Sequence, residues 1–148
     1  MTDTVHASAV RVGDRGVLIR GKSGAGKSSL LLALLSAREA NAILIADDRV
    51  HLAAASGRVL ASAPAAIAGQ MEIRGVGIVE KPHVSPAAID LVVDLLPLAE
   101  CPRLPEGDEA RAVLAGIAVP RIFIAIGAHD GVLRVLAALA RSAAGIPA

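Results

Sequence analysis

Residue types that support several common protein functions are scarce in this sequence of 148 residues. It contains one phenylalanine and no tyrosine or tryptophan, which argues against a single-strand nucleic-acid binder that stacks bases on aromatic side chains. Cys101 is the only cysteine, so an internal disulfide and a cysteine-based zinc site are excluded. The formal net charge of +1 is too balanced to direct the chain to nucleic acid or to an acidic membrane surface.

Long uninterrupted apolar runs and targeting signals are also missing. The longest apolar stretch, residues 112–128, is broken by Pro120 and Arg121, which favours core strands over a membrane span. The N-terminus lacks a basic region followed by an apolar one, so it is not a signal peptide. Since 54% of the residues are hydrophobic, we expect a folded chain, and its length suits a single domain over 1–148. The single cysteine fits a cytoplasmic location.

The order of apolar segments predicts an α/β domain. Residues 5–11 and 16–20 predict two strands around a tight turn, and 27–39 predict a helix with its leucines on a buried face. Further segments are predicted as strands at 42–46, 89–95 and 117–127, a hairpin at 51–63 about Ser56 and Gly57, an exposed loop at 97–109, and a closing helix at 130–143 capped by Asp130. Hairpins beside a strand–loop–helix–strand unit predict a mixed central sheet flanked by helices.

A glycine-rich segment, GKSGAGKSS at residues 21–29, lies between a predicted strand and a predicted helix and holds two of the chain's three lysines. It matches the Walker A pattern G-x-x-x-x-G-K-[ST] in the context that this motif requires. Backbone N–H groups of such a loop surround phosphate oxygens, Lys27 bridges the outer phosphates, and the Ser28 hydroxyl ligates Mg²⁺. Lys22 either assists the phosphates or is merely solvated. The predicted nucleotide-binding residues are Gly21, Lys22, Ser23, Gly24, Ala25, Gly26, Lys27, Ser28 and Ser29.

Carboxylates farther along the chain supply more of a candidate site. Asp47 and Asp48 end an apolar strand, where two adjacent carboxylates can divide metal binding and proton transfer, or can simply form a turn. Within 71–80, Glu72 and Arg74 are two residues apart and would share one face of a strand. They are either a metal ligand with a phosphate clamp or a surface ion pair.

Two other side chains have both a structural and a functional interpretation. His6 lies on the first predicted strand among alanines and valines, where a lone histidine is more often structural. Arg103 lies in the proline-rich acidic loop. It is either solvated there or a mobile arginine that reaches a transferring phosphoryl group.

Taken together, the segments GVLIRGKSGAGKSS, LIADDRV and APAAIAGQMEIRGVGIV resemble the catalytic domain of the HPr kinase/phosphorylase family over about residues 5–126. The resemblance implies a P-loop kinase domain of the phosphoenolpyruvate carboxykinase-like type. It implies transfer of the ATP γ-phosphate to a serine of the phosphocarrier protein HPr, with Mg²⁺, by a homo-oligomer that is usually a hexamer.

The resemblance also implies catalytic and metal-binding residues, motif by motif. The residues considered on their own add Asp48 as a second carboxylate for the metal and Arg74 as a phosphate contact. The catalytic set is Asp47 as proton acceptor with Lys27, His6 and Arg103; the metal set is Ser28, Glu72 and Asp48; the phosphate or substrate contact is Arg74. A serine hydroxyl is a poor nucleophile, so a carboxylate takes its proton while Mg²⁺ and Lys27 offset the phosphate charge.

Differences from the longer family members bear on which of the family's two activities to expect. The resemblance leads us to expect a catalytic core without the extra N-terminal domain of many members, and FIAIGAHD stands where the family usually has a basic segment tied to phosphate removal. These departures argue against the phosphorylase half-reaction. The alternative function is a nucleotide-binding regulatory module that senses ATP without phosphorylating a protein, and a small-molecule kinase is a third.

Overall fold

β-strands are the commonest regular structure in the described part of the chain. A computed structural model describes residues 4–143, within which there are eleven strands and two α-helices. The strands are β1 (Thr4–Val5), β2 (Ala7–Val12), β3 (Arg15–Arg20), β4 (Ala42–Ala46), β5 (Val50–Ala55), β6 (Arg58–Ser62), β7 (Gln70–Ile73), β8 (Gly77–Glu80), β9 (Ala87–Leu96), β10 (Arg111–Leu114) and β11 (Ile117–Ala125). The helices are α1 (Lys27–Ser36) and α2 (Gly131–Ala143), and neither described helix is long and apolar enough to cross a membrane.

Nine of the strands form one mixed sheet, and β7 and β8 form a separate hairpin. The main path of the sheet is β1-β5-β6-β9-β3-β2-β4, and β11 joins β9 and carries β10. Along one edge β9 pairs in parallel with β3. Its other edge pairs first antiparallel with β6, near Ile89, and then in parallel with β11, from Val92 to Leu96. The α/β class with a mixed sheet is therefore confirmed.

The direction of the strands places several chain segments at one edge of the sheet. β3, β9 and β11 are parallel, and β4 runs the same way as β3 because both pair antiparallel with β2. Ligand sites of such sheets lie at the carboxyl ends of the parallel strands. The glycine-rich segment follows β3, Asp47 follows β4, and β2, which runs the opposite way, begins at this edge just after His6.

An ion-pair cluster ties three of these strands together near that edge. Arg20, the last residue of β3, donates from Nε and Nη2 to the two carboxylate oxygens of Asp94 on β9, both at 2.8 Å. Arg121 of β11 adds a bond from Nη1 to Oδ2 of Asp94 at 3.4 Å. Because a bidentate arginine–carboxylate pair fixes orientation as well as distance, it holds the start of the glycine-rich segment in place.

Two aliphatic clusters cover the two faces of the sheet. Alternate residues of β3 divide between them, with Val17 and Ile19 in one cluster and Leu18 in the other, as the period of a strand requires. The first cluster also holds buried leucines of α1 together with Val135 and Leu139 of α2, whereas the second holds residues of β10 and β11. Both described helices therefore cover the same face of the sheet, a detail that the prediction of a sheet flanked by helices had left open.

Most predicted elements are confirmed. The predicted first strand at 5–11 is interrupted, because His6 forms a bend between β1 and β2, and three further differences follow. Helix α1 ends at Ser36, and a 3₁₀ turn follows at Arg38–Ala40. The 111–114 segment forms β10, a strand that was not predicted. The prediction that Glu72 and Arg74 share a strand face is wrong, because β7 ends at Ile73 and Arg74 begins the turn to β8.

Gly16 lies where β3 approaches β9 most closely. A Cβ atom at this position would overlap the carbonyl oxygen of Ala88, and backbone overlap cannot be relieved by a rotamer change. We expect Gly16→Ala to lower the free energy of unfolding by about 3 kcal/mol, measured by thermal or urea unfolding. Gly13→Asn is the control, because Gly13 has a φ of 60° in open space and asparagine tolerates that conformation. Equal stability of the two variants would contradict the close approach.

Asp130 occupies the predicted capping position before α2. Its carbonyl accepts from Arg134 N at 3.0 Å, and its Oδ2 accepts from Arg134 Nε at 2.9 Å. This side-chain bond is the main cause that holds the pKa of Asp130 below its ordinary value of 3.8.

The lowered pKa has a definite consequence for pH dependence. The stabilising contact is present above the ordinary pKa of Asp130 and is lost as the pH falls through the lowered pKa. We expect Arg134→Gln to raise the pKa of Asp130 towards its ordinary value, measured by NMR titration of the side-chain carboxyl. An unchanged midpoint would show that the arginine does not cause the shift.

Candidate active site

The glycine-rich segment forms a loop that opens directly into α1. Gly24 and Gly26 have φ values of 84° and 96°, left-handed conformations that glycine adopts without strain. Gly26 is the N-cap residue of α1, and its carbonyl accepts from Leu30 N at 3.0 Å. The N–H groups in the first turn of a helix have no intrahelical partner and favour a bound anion. This geometry is one that can receive an anion such as phosphate.

Lys27 places its ammonium group inside this loop. The residue is only 6% exposed, and Nζ donates to the carbonyl oxygens of Gly21 at 2.8 Å and Lys22 at 3.1 Å. A buried ammonium group needs such partners, because desolvation of an unpaired charge is costly. The positive charge is thus held where the loop would receive phosphate oxygens. The Lys22 side chain itself is exposed.

Asp47, which follows β4, is next to the first turn of α1 and is 6% exposed. Its Oδ1 accepts from the hydroxyl of Ser8 at 2.9 Å and from the hydroxyl of Ser28 at 3.3 Å. Its Oδ2 accepts from the backbone N of Glu72 at 3.3 Å. Donors from β2, α1 and β7 therefore fix this carboxylate from three directions.

Asp48 is the next residue but has a different environment. Its side chain is 64% exposed, and its Oδ1 accepts a hydrogen bond from His6 Nε2 at 2.8 Å. Since an ionised carboxylate only accepts, the His6 Nε2 must carry the proton in this bond. The two consecutive aspartates thus point to different places, one into the protein and one towards solvent.

A cleft of about 770 Å³ lies in front of these groups. The phosphate loop and the first turn of α1 form one wall, and residues 71–77 of the β7–β8 hairpin form the other. His6 and Asp48 also line it. The hairpin contributes both the Glu72 carboxylate and the Arg74 guanidinium, because the turn that removes Arg74 from the strand keeps it beside the cleft.

The structure brings most of the predicted site residues to this cleft. Those lining it are His6, Ser23, Gly24, Gly26, Lys27, Ser28, Ser29, Asp48, Glu72 and Arg74. Gly21, Lys22, Ala25 and Asp47 are not among the lining residues, but the carbonyls of the first two hold Lys27 and the carboxylate of the last holds Ser28. Arg103 is exposed on the loop after β9 and is not among the lining residues.

The family model for the HPr serine kinase C-terminal domain matches residues 1–144. The chain belongs to this family. The expected resemblance is thereby confirmed, and it extends to the α2 region as well as to the three motifs.

Individual members of the family show the same relationship. The chain is similar to an HPr kinase/phosphorylase of Geobacter sulfurreducens, at 32% identity over an alignment of 159 positions that covers 95% of this chain and 46% of that protein. It is also similar to an HPr kinase/phosphorylase of Lactiplantibacillus plantarum, at 35% identity over an alignment of 134 positions. That alignment covers 83% of this chain and 41% of the relative. The chain therefore spans less than half the length of these curated relatives.

A solved structure supports the fold of this HPr serine kinase family member. The Hpr(Ser) kinase/phosphatase from Coxiella burnetii matches it with a TM-score of 0.81 and 25% identity, over 96% of this chain and 97% of that one. The mixed sheet with few helices is thus the architecture of a known HPr kinase structure.

The oxygen atoms at the cleft and next to it suit a magnesium ion. They belong to the hydroxyl of Ser28 and the carboxylates of Asp47 and Glu72, and Mg²⁺ prefers oxygen. Within residues 4–143, no group of three or more histidine, cysteine, aspartate or glutamate side chains is placed to hold a metal alone. Mg²⁺ commonly takes only one or two carboxylates, with water and substrate phosphates completing its coordination, so the residues fit.

Ser8 is the contact residue that sequence reasoning missed. It is fully buried in β2 and bonds to Asp47, yet it belongs to no motif. The available signal was a hydroxyl in the otherwise apolar run ASAV, two residues after His6.

Proposed function

We propose that the chain is the catalytic domain of an ATP-dependent kinase that phosphorylates a serine of an HPr-like phosphocarrier protein. The phosphate loop, the buried Asp47 and the His6–Asp48 pair converge on one cleft, and this convergence carries the proposal. The names of the relatives point to the same acceptor. The strand–loop–helix unit at the edge of a mixed sheet supports assignment to the phosphoenolpyruvate carboxykinase-like P-loop fold.

The loop residues would bind the triphosphate. Lys27 reaches the outer phosphates from inside the loop, and the first turn of α1 contributes backbone N–H groups. Ser28 and Glu72 would hold Mg²⁺ from the cleft side, and Asp47 from behind Ser28. When bound, Mg²⁺ neutralises charge on the phosphate oxygens. Arg74 lies on the opposite wall, where a guanidinium can contact the transferring phosphoryl group or the acceptor.

The geometry leads us to exchange the two aspartate roles expected from the sequence. Both oxygens of Asp47 accept hydrogen bonds from groups of the protein, and the residue lies behind the cleft lining. Asp48 lines the cleft and is oriented by His6. We therefore assign proton acceptance to Asp48 and metal-side support to Asp47.

The proposed reaction then follows directly. The acceptor serine loses its hydroxyl proton to the Asp48 carboxylate while its oxygen forms a bond to the γ-phosphorus. The bond between that phosphorus and the β-bridging oxygen breaks, and ADP leaves. His6 keeps the Asp48 carboxylate turned towards the incoming hydroxyl. Arg103 is not among the residues that line the cleft, so its role stays a prediction, as do the homo-oligomer and the cytoplasmic location.

The test uses the chain, ATP, Mg²⁺ and HPr from the same genome, read by intact-mass spectrometry. We expect HPr to gain the mass of one phosphate, and HPr with its acceptor serine replaced by alanine to gain none. Later addition of inorganic phosphate would test reversal. A chain that binds ATP with Mg²⁺ but labels no HPr would refute the kinase and favour the regulatory module.

A further inference from the structure

Ser8 is a polar residue in an apolar environment. It is 0% exposed, and so are its strand neighbours Ala7, Ala9 and Val10. A hydroxyl buried in this way costs free energy unless its hydrogen-bonding capacity is used. Its retention in the interior therefore calls for specific partners.

Both partners of the Ser8 hydroxyl belong to the aspartate pair. Oγ donates to Asp47 Oδ1 at 2.9 Å and accepts from the backbone N of Asp48 at 3.2 Å. Ser8 itself does not line the cleft. One buried hydroxyl thus contacts both consecutive aspartates from behind, at the side chain of the first and at the backbone of the second.

The backbone at Asp48 needs such support. Asp48 has a φ of 70°, and the N–H of Arg49 bonds to the carbonyl of Asp47 at 2.8 Å. A bond across three residues with a positive central φ is a rare and strained γ-turn. Strained backbone persists only where the surrounding structure over-determines it. The turn directs the Asp48 carboxylate to His6, so the support from Ser8 bears on the cleft.

We propose that Ser8 is a positioning residue that sets the Asp47 carboxylate for Mg²⁺ and the Asp48 turn for the acceptor. This inference rests on the proposed function, because it assigns Ser8 to the same site. A bond to an ionised carboxylate is stronger than one between neutral groups. Partners of this kind behind a metal site orient the ligand, and their loss typically costs 10–100-fold in metal affinity or activity.

The test measures nucleotide binding, which does not require an acceptor protein. The affinity for AMP-PNP, a non-hydrolysable ATP analogue, is measured with Mg²⁺ and with EDTA, and the ratio gives the Mg²⁺ enhancement. We expect Ser8→Ala to lower this enhancement about tenfold, with the affinity in EDTA unchanged. Ser8→Thr retains a hydroxyl, and we expect it to retain most of the enhancement.

Val10→Ala is the matched control for lost stability. Val10 lies two residues farther along β2, faces the same side and is also 0% exposed, but its side chain has no polar contact to lose. We expect it to destabilise the fold while keeping the wild-type enhancement. Full enhancement in Ser8→Ala, or an equal loss in Ser8→Ala and Val10→Ala, would overturn the inference.

A second variant at position 8 and the HPr labelling assay separate the remaining outcomes. If Ser8→Ala does not fold, Ser8→Cys keeps the size with only a weak donor, and a wild-type enhancement in that variant would overturn the inference. If the wild type labels no HPr but Ser8→Ala still loses the enhancement, the kinase proposal fails and the positioning role stands. If the wild type labels HPr normally but Ser8→Ala retains the enhancement, the kinase proposal stands and the positioning role fails.

Discussion

Replacing Asp48 by asparagine is expected to slow phosphoryl transfer to HPr by about 10²–10⁴-fold, the usual contribution of a positioned general base. Asparagine keeps the shape of the side chain and an oxygen that can still accept from His6, but it cannot take a proton at neutral pH. Binding of ATP with Mg²⁺ should change little, because Asp48 is not among the groups that hold Ser28 or Lys27. Single-turnover transfer and nucleotide titration measure the two effects separately.

Asp47→Asn is the matched comparison for this prediction. Asp47 accepts from the hydroxyls of Ser8 and Ser28, so its loss of charge should weaken the Mg²⁺-dependent part of nucleotide binding. Transfer would then fall mainly because the metal is held poorly, and raised Mg²⁺ should restore part of it. If Asp47→Asn binds Mg²⁺ normally but transfers nothing, while Asp48→Asn remains active, the roles are those expected from the sequence.

Replacing Lys27 by alanine is expected to lower kcat/KM for ATP by about 10³-fold, at the upper end for loss of one preorganised donor. Lys27 is only 6% exposed, and its ammonium group is held in place by two loop carbonyls. Because Lys27 acts on phosphate directly, nucleotide binding should weaken in EDTA as well as in Mg²⁺. That pattern separates it from the Asp47 variant.

Lys22→Ala provides the control within the same loop. Only the backbone carbonyl of Lys22 contacts Lys27, and its own side chain is exposed. We expect the Lys22 variant to stay within about threefold of wild type, since exposed charges far from a fixed partner contribute little. Equal damage from the two lysine substitutions would mean that Lys22 reaches the phosphates, the alternative that the sequence left open.

The aspartate pair shows that a sequence motif can locate a site without revealing which residue of the motif has which environment. Two identical carboxylates occur side by side after β4, and the strand simply ends there. The division arises because Asp48 adopts a positive φ and turns away, whereas Asp47 continues inward to Ser8 and Ser28. Long-range contacts from β2, α1 and β7 produce this difference, and a local pattern contains no information on them.

Two parts of the fold escaped prediction for related reasons. β10 pairs with the first half of β11 through a turn at Ala115 and Gly116 with φ values of 49° and 81°, and an alanine in a left-handed position is not a recognised turn signal. Arg74 leaves its strand because Gly75, with a φ of 83°, continues the turn to β8. In both cases the turn geometry decides the pairing, and the apolar pattern on either side is compatible with more than one register.

The sequence by itself determined the glycine-rich loop between β3 and α1, most strands, and the family, because these depend on local periodicity and on residue types at fixed spacing. Only the tertiary structure decided that both helices cover one face, that Asp48 and not Asp47 meets His6, and that Ser8 bonds to the aspartate pair. The two features of the aspartate pair depend on contacts between residues about 40 positions apart, Ser8 with Asp47 and His6 with Asp48. Such contacts form only when the antiparallel pairing of β2 with β4 brings the two ends to one edge of the sheet.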